Sequence, residues 1–220
     1  MMTTRAATMP AADTRIWATI DLSQDGRQVG HLRLPFSTDL SAYGTIAIPI
    51  VCIRNGEGPT ALLIAGSHGD EYEGQIALSR LARSIEHKDV HGRIVILPHL
   101  NLPAARVGRR LSPLDDGNLN RLFPGDPNGS PTQMIADYVT SILLPLADVV
   151  LDLHSGGRSL EYLPCSLVRS SGMREKNAEI INLANAFGAP ICSISDGSGG
   201  GGATTLSAAA QVVGITALTA

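Results

Sequence analysis

The sequence predicts an α/β domain, a mixed β-sheet flanked by helices, and three observations carry that expectation. Short apolar runs of strand length fall at residues 60–65, 93–97 and 149–153. Between them lie stretches whose apolar residues recur at helical spacing, such as Leu78, Leu81, Ala82 and Ile85. Two of the strand runs open directly into glycine-containing loops that carry histidines, Gly66-Ser67-His68 and His154-Ser155-Gly156.

Residues 1–14 read as a loose leader, and weak alternation over residues 15–34 suggests a small strand or edge element. Ile46, Ile48, Ile50 and Ile53 mark a further strand, which Pro49 assigns to an edge or distorted position. Asn55-Gly56-Glu57-Gly58-Pro59 is a turn. After the strand at 60–65 and the helix around Leu78 comes the strand at 93–97, which ends at Pro98. Residues 101–130 are polar and rich in Gly, Pro, Asn and Asp, a long segment of the kind that often carries function. Ile135, Val139, Ile142, Leu143 and Leu146 form another helical stripe, and the strand at 149–153 delivers His154. Ile180, Ala184 and Phe187 mark a helix. A glycine-rich loop spans 195–205, a flexible connector or a close approach to ligand, before a helix at 206–212 and a strand at 215–218.

A chain of 220 residues buries one substantial core. The expected division is a leader with a small strand region over 1–44 and the main α/β domain over 45–220. Hydrophobic residues at 44% and charged residues at 17% exclude compositional disorder. A net charge of -3 supplies no cationic footprint for nucleic acid or an anionic membrane, and 4% aromatics argue against a base-stacking surface. The three cysteines lack metal-type spacing and are odd in number, so a reduced, cytoplasmic setting is expected. The first residues show no secretory apolar core, and the apolar stretch at 141–153 is short and broken by Pro145, Asp148 and Asp152.

His68 and Glu71 stand three residues apart after a strand, so a loop or first helical turn can aim both into one cavity. His154 follows a second strand, and a parallel sheet brings it to the same end. Two imidazoles and one carboxylate form a catalytic zinc ligand set with an open position for water. The plainer alternative is loop hydrogen bonding or a helix start for His68 and Glu71, and a capped polar network for His154. His31, His87, His91 and His99 lack this paired context.

His68-Gly69-Asp70-Glu71, Gly117-Asn118-Leu119-Asn120-Arg121-Leu122-Phe123-Pro124-Gly125 and Leu153-His154-Ser155-Gly156-Gly157 together resemble the succinylglutamate desuccinylase/aspartoacylase family, relatives of zinc carboxypeptidases. The resemblance runs from about residue 45 to 220. Gly66-Ser67-His68-Gly69-Asp70-Glu71-Tyr72-Glu73-Gly74 and Asp115-Asp116-Gly117-Asn118 are similar to the branch that deacetylates N-α-acetyl-L-2,4-diaminobutyrate in ectoine breakdown. It implies a zinc-carboxypeptidase-like sheet and one zinc ion on His68, Glu71 and His154. It also implies a small N-acylated amino acid as substrate, its carboxylate held by Asn120 and Arg121. An oxyanion-stabilising arginine corresponds to Arg110, with Arg109 kept open as a substrate-binding neighbour. Many relatives carry Asp where this chain has Asn118; Asn118, Asp116 or Asp152 are the candidates to orient a ligand histidine.

The resemblance further implies a catalytic glutamate just after a strand like residues 214–220. Glu73, Glu161, Glu175 and Glu179 are poor substitutes, so the expectation is an α/β domain incomplete at its C-terminus, lacking its catalytic glutamate and impaired in activity. The leading function is removal of an acyl group, acetyl first, from a small amino acid. A metallocarboxypeptidase and a non-catalytic zinc or metabolite-binding domain are the alternatives, and self-association is left open.

Overall fold

The computed structural model describes residues 13–198 and 202–220. Most of the leader, and residues 199–201 of the glycine-rich loop, lie outside the described residues. Among the described residues nine strands form one sheet: β1 (Trp17–Ala18), β2 (Gly26–Pro35), β3 (Thr45–Asn55), β4 (Thr60–Ala65), β5 (Gly92–Leu97), β6 (Val149–Leu153), β7 (Cys165–Arg169), β8 (Ile191–Ser195) and β9 (Thr216–Thr219). Their order across the sheet is β1-β2-β3-β5-β4-β6-β9-β7-β8. Strands β5, β4, β6 and β9 run parallel, whereas β2, β3 and β7 enter through antiparallel pairings. The expected mixed α/β sheet is therefore present.

Alternation along the central strands separates two apolar layers, because successive side chains point to opposite faces. Leu62 and Ile64 of β4, Val95 and Leu97 of β5 and Val150 of β6 pack with α3 (Pro131–Tyr138) and α5 (Leu206–Val212). Ala65 and Ile96, with half-buried Leu63 and Ile94, meet Leu78 and Ala82 of α1 (Tyr72–Ser84). A third cluster joins Val168 and Leu218 to Ile180 and Ala184 of α4 (Arg174–Phe187). Helices therefore cover both faces. Among the described residues no helix is long and apolar enough to cross a membrane.

Several local expectations are refined. Pro49 pairs with His31 on β2, while β5 pairs with β3 only from Val51 to Asn55. Its missing N–H thus falls where β3 has a single neighbour, an edge position within an otherwise interior strand. The stripe from Ile135 to Leu146 is not one α-helix: α3 gives way to a π turn at Val139–Leu143 and a 3-10 turn at Leu144–Leu146. A capping box between Ser130 and Gln133 starts it, and it ends after Leu146, where Ala147 turns extended. The polar segment 101–130 contains a short helix, α2 (Leu102–Val107), capped by Asn101 and closed by left-handed Gly108. Strands β7 and β8 carry no clear strand signal in the sequence, since exposed residues break their apolar pattern.

Chain path decides where a site can form. From β4 the chain crosses to β5 on one side, and β6 then lands on the other side of β4. A crevice opens at the carboxyl ends where the direction of winding reverses. His68 follows β4 and His154 follows β6, so both loops rise from that crevice.

Leu62 is fully buried in the middle of this sheet. Leu62→Ala should destabilise the protein by about 2–5 kcal/mol, read as a lowered midpoint of urea unfolding.

Candidate metal centre

The loop from β4 to α1 is held from beneath. Gly69 N–H donates to the Arg109 carbonyl at 2.9 Å. A Cβ on Gly69 would lie 2.0 Å from the Ala104 carbonyl carbon, so the loop reaches α2 only because this residue is glycine. Gln75 is buried, and its side-chain amide donates to the carbonyls of Glu71 at 2.9 Å and Gly69 at 3.2 Å. His99 Nδ1 meets Gln75 Oε1 at 2.9 Å; burial lowers the pKa of His99, favouring the neutral ring that donates this bond. These loop supports escape sequence reading, because Gln75 and His99 are 24 residues apart.

Glu71 stands at the N-terminal cap of α1 and turns its carboxylate inward instead of capping the helix. It is only 4% exposed. Its Oε1 lies 2.7 Å from His68 Nδ1 and 3.1 Å from an Arg110 guanidinium nitrogen. Its Oε2 lies 2.7 Å from His154 Nδ1 and accepts the Ser155 N–H at 3.3 Å. Burial alone would raise its pKa, but hydrogen bonds from His154 and His68 outweigh that and bring it down to about 2.

Both imidazoles present Nδ1 to Glu71 and Nε2 to an outer acceptor. His68 Nε2 is 3.0 Å from Asn118 Oδ1, and His154 Nε2 is 2.9 Å from Asp152 Oδ2. Asn118 and Asp152 thus stand where they can orient the rings, whereas Asp116 is exposed. Burial pulls the His154 pKa down, yet the charges and hydrogen bonds of Asp152 and Glu71 prevail and raise it to about 10. One ligand atom from each of His68, Glu71 and His154 lies within 4.8 Å of the others, so the cluster is capable of coordinating a metal ion. The paired Nδ1 atoms, each with its far nitrogen already held, fit that use.

The remaining candidates separate. A cavity of about 630 Å³ is lined by Arg110, Asn120, Arg121 and the three cluster residues, among others. Asn120 Oδ1 accepts the Leu206 N–H at 2.9 Å, which turns its amide nitrogen toward His154 Nε2 at 3.3 Å. Arg121 donates to the Asn120 carbonyl at 2.6 Å. Arg109 is exposed and is not among the cavity-lining residues; its backbone carbonyl supports the loop between β4 and α1. Glu161 is exposed as well.

The expectation that the chain lacks its catalytic glutamate is corrected by Glu71. This carboxylate lies at the centre of the cluster, with both oxygens engaged by the two imidazoles. Glu71 is thus a carboxylate available to this centre, where the sequence alone points to later segments for an acid.

With this geometry established, comparison with known proteins defines the class. The catalytic-domain profile of the succinylglutamate desuccinylase/aspartoacylase family matches residues 57–220, and the chain belongs to that family. It is 53% identical over 175 residues to the N-alpha-acetyl-L-2,4-diaminobutyric acid deacetylase of Halomonas elongata, covering 80% of this chain and 51% of that protein. The chain therefore spans about half the length of this relative. Among solved structures, the product-bound ectoine utilization protein EutE (DoeB) of Ruegeria pomeroyi superposes with a TM-score of 0.88 at 43% identity. A succinylglutamate desuccinylase of Silicibacter sp. TM1040 gives 0.87 at 43% identity. Each of these two matches covers 94% of this chain and 62% of the other. A metallo-carboxypeptidase of Burkholderia cenocepacia, at 18% identity and a TM-score of 0.63, shares the fold; it covers 88% of this chain and 54% of that one.

Because the His154 pKa is raised from 6.5 to about 10, its contribution to the stability of the metal-free protein is complete below pH 6.5 and is lost as pH rises through about 10. Metal ligation needs the deprotonated ring, so metal uptake should release a proton. Chelator-competition titrations should show affinity rising by about a decade per pH unit between about pH 6 and 9; a flat profile would reject the displacement.

Proposed function

We propose that the protein is a zinc-dependent amidohydrolase that removes an acyl group, acetyl foremost, from the nitrogen of a small amino acid such as N-acetyl-2,4-diaminobutyrate. The observation that carries this reading is the convergence of His68 Nδ1, His154 Nδ1 and the Glu71 carboxylate at the wall of a cavity lined by arginines. Two imidazoles and one carboxylate are a ligand set of catalytic zinc. The deacetylase relative supports the substrate class. The three free cysteines agree with a cytoplasmic setting.

His68, Glu71 and His154 would hold the ion, with Asn118 and Asp152 fixing the two rings from behind. When bound, zinc polarises the acyl carbonyl and acidifies water. Arg110 reaches the cavity beside Glu71, where its guanidinium can donate to the carbonyl oxygen as negative charge develops. Arg121 offers paired donors to the substrate carboxylate, and the Asn120 amide nitrogen adds a neutral donor. Arg109 is left out of substrate contact, because its side chain is not among the cavity-lining residues. Glu71, held ionised by its neighbours, balances the charge of the cation it ligates.

Metal analysis of purified protein should find zinc near one ion per chain, and His68→Ala and His154→Ala should each lose most of it. Unchanged zinc in both variants would sink the ligand assignment. With N-acetyl-2,4-diaminobutyrate as substrate, Arg121→Ala should raise KM about 10- to 100-fold through loss of a charge-assisted contact. An unaltered KM would remove Arg121 from carboxylate binding.

A further inference from the structure

Asp70 is the cavity carboxylate for which the preceding reading has no use. It lies between Gly69 and Glu71 and lines the same cavity. Its Oδ1 is buried without a hydrogen-bond partner. None of the described hydrogen bonds or ion pairs involves its other oxygen. A carboxylate taken partly out of water without a partner is costly, and native proteins rarely keep one idle.

The surroundings select what could satisfy it. Asp70 and Glu71 are the carboxylates among the described lining residues, and both Glu71 oxygens already face imidazoles. The three lining arginines turn elsewhere: Arg110 to Glu71, Arg121 to the Asn120 carbonyl, and Arg169 to Gln211 and the Gly202 carbonyl. Asp70 is thus the anion on this wall with free acceptor capacity. Gly157 lies over it; a Cβ there would come within 2.9 Å of Oδ2, at a backbone φ of +61° that side-chain-bearing residues rarely adopt. The glycine leaves this oxygen uncovered.

We infer that Asp70 accepts a cationic amino group on the side chain of the substrate, making it a specificity residue for N-acylated diamino acids. The inference rests on the deacylase reading above. Substrate would then be gripped at two opposite charges, its carboxylate on Arg121 and its side-chain ammonium on Asp70. A substrate with a methyl in place of the ammonium would leave Asp70 unpaired, which is how a polar site rejects an apolar isostere.

The test is calorimetric binding of L-2,4-diaminobutyrate and of its methyl isostere L-norvaline to the zinc-loaded protein and to zinc-loaded Asp70→Asn. The native protein should prefer the diamino acid by at least about tenfold, the range of one charge-assisted hydrogen bond. Asp70→Asn, with zinc content unchanged, should bring the two ligands within about threefold by weakening the diamino acid alone. Persistence of the preference in the variant, equal weakening of both ligands, or a native protein that binds both equally would each overturn the proposal while leaving the deacylase reading standing. A native protein that binds neither ligand would overturn that reading and the proposal with it.

Discussion

The site is organised around one buried carboxylate shared by two imidazoles. Glu71 is almost wholly removed from water, and an isolated charge in that position would be strongly disfavoured. It is tolerated because both oxygens are met by ring nitrogens at 2.7 Å, with Arg110 and the Ser155 amide beside them. Such an arrangement is robust only as a unit, since removing one partner leaves the other charge uncompensated. The same unit is what makes the centre suited to a cation, because two imidazole nitrogens and one carboxylate oxygen lie within 4.8 Å of one another.

That unit depends on neighbouring strands being brought into register. β4 and β6 are parallel neighbours, with Ala65 opposite Leu153, so the residues that follow each strand emerge side by side. β9 reinforces the second loop: the His154 amide donates to the Ala220 carbonyl at 2.7 Å, and the Ala220 amide to the Asp152 carbonyl at 3.0 Å. A histidine at a strand end is thereby held by backbone on one side and by Asp152 through its ring. The loop of His68 is held differently, by the Gln75 amide and by the close seating of Gly69 on α2.

Much of this was legible along the chain. Apolar runs at 60–65 and 149–153 marked the two strands, because a buried parallel strand is apolar on both faces. The three-residue spacing of His68 and Glu71 was visible locally, and the motif around Asn118 and Arg121 gave the family. Other features were hidden. β8 lies at the sheet border with mostly exposed residues, so its pattern lacks the contrast that reveals a strand. The change from α to π and 3-10 winding near Val139 leaves the apolar spacing of the stripe unbroken, so periodicity does not reveal it.

By itself the sequence determined which residue types were available: two imidazoles and a carboxylate after strands, arginines in a polar loop, and glycines where backbone approaches closely. Those are local properties of spacing and composition. Only the tertiary structure shows which of these groups meet: Arg110 rather than Arg109 beside Glu71, Asp152 rather than Asp116 at the His154 ring, and Glu71 between both imidazoles. Each choice turns on which side chain faces the crevice between β4 and β6. That depends on strand order and on the direction each loop leaves the sheet, contacts that join residues as far apart as Glu71 and His154.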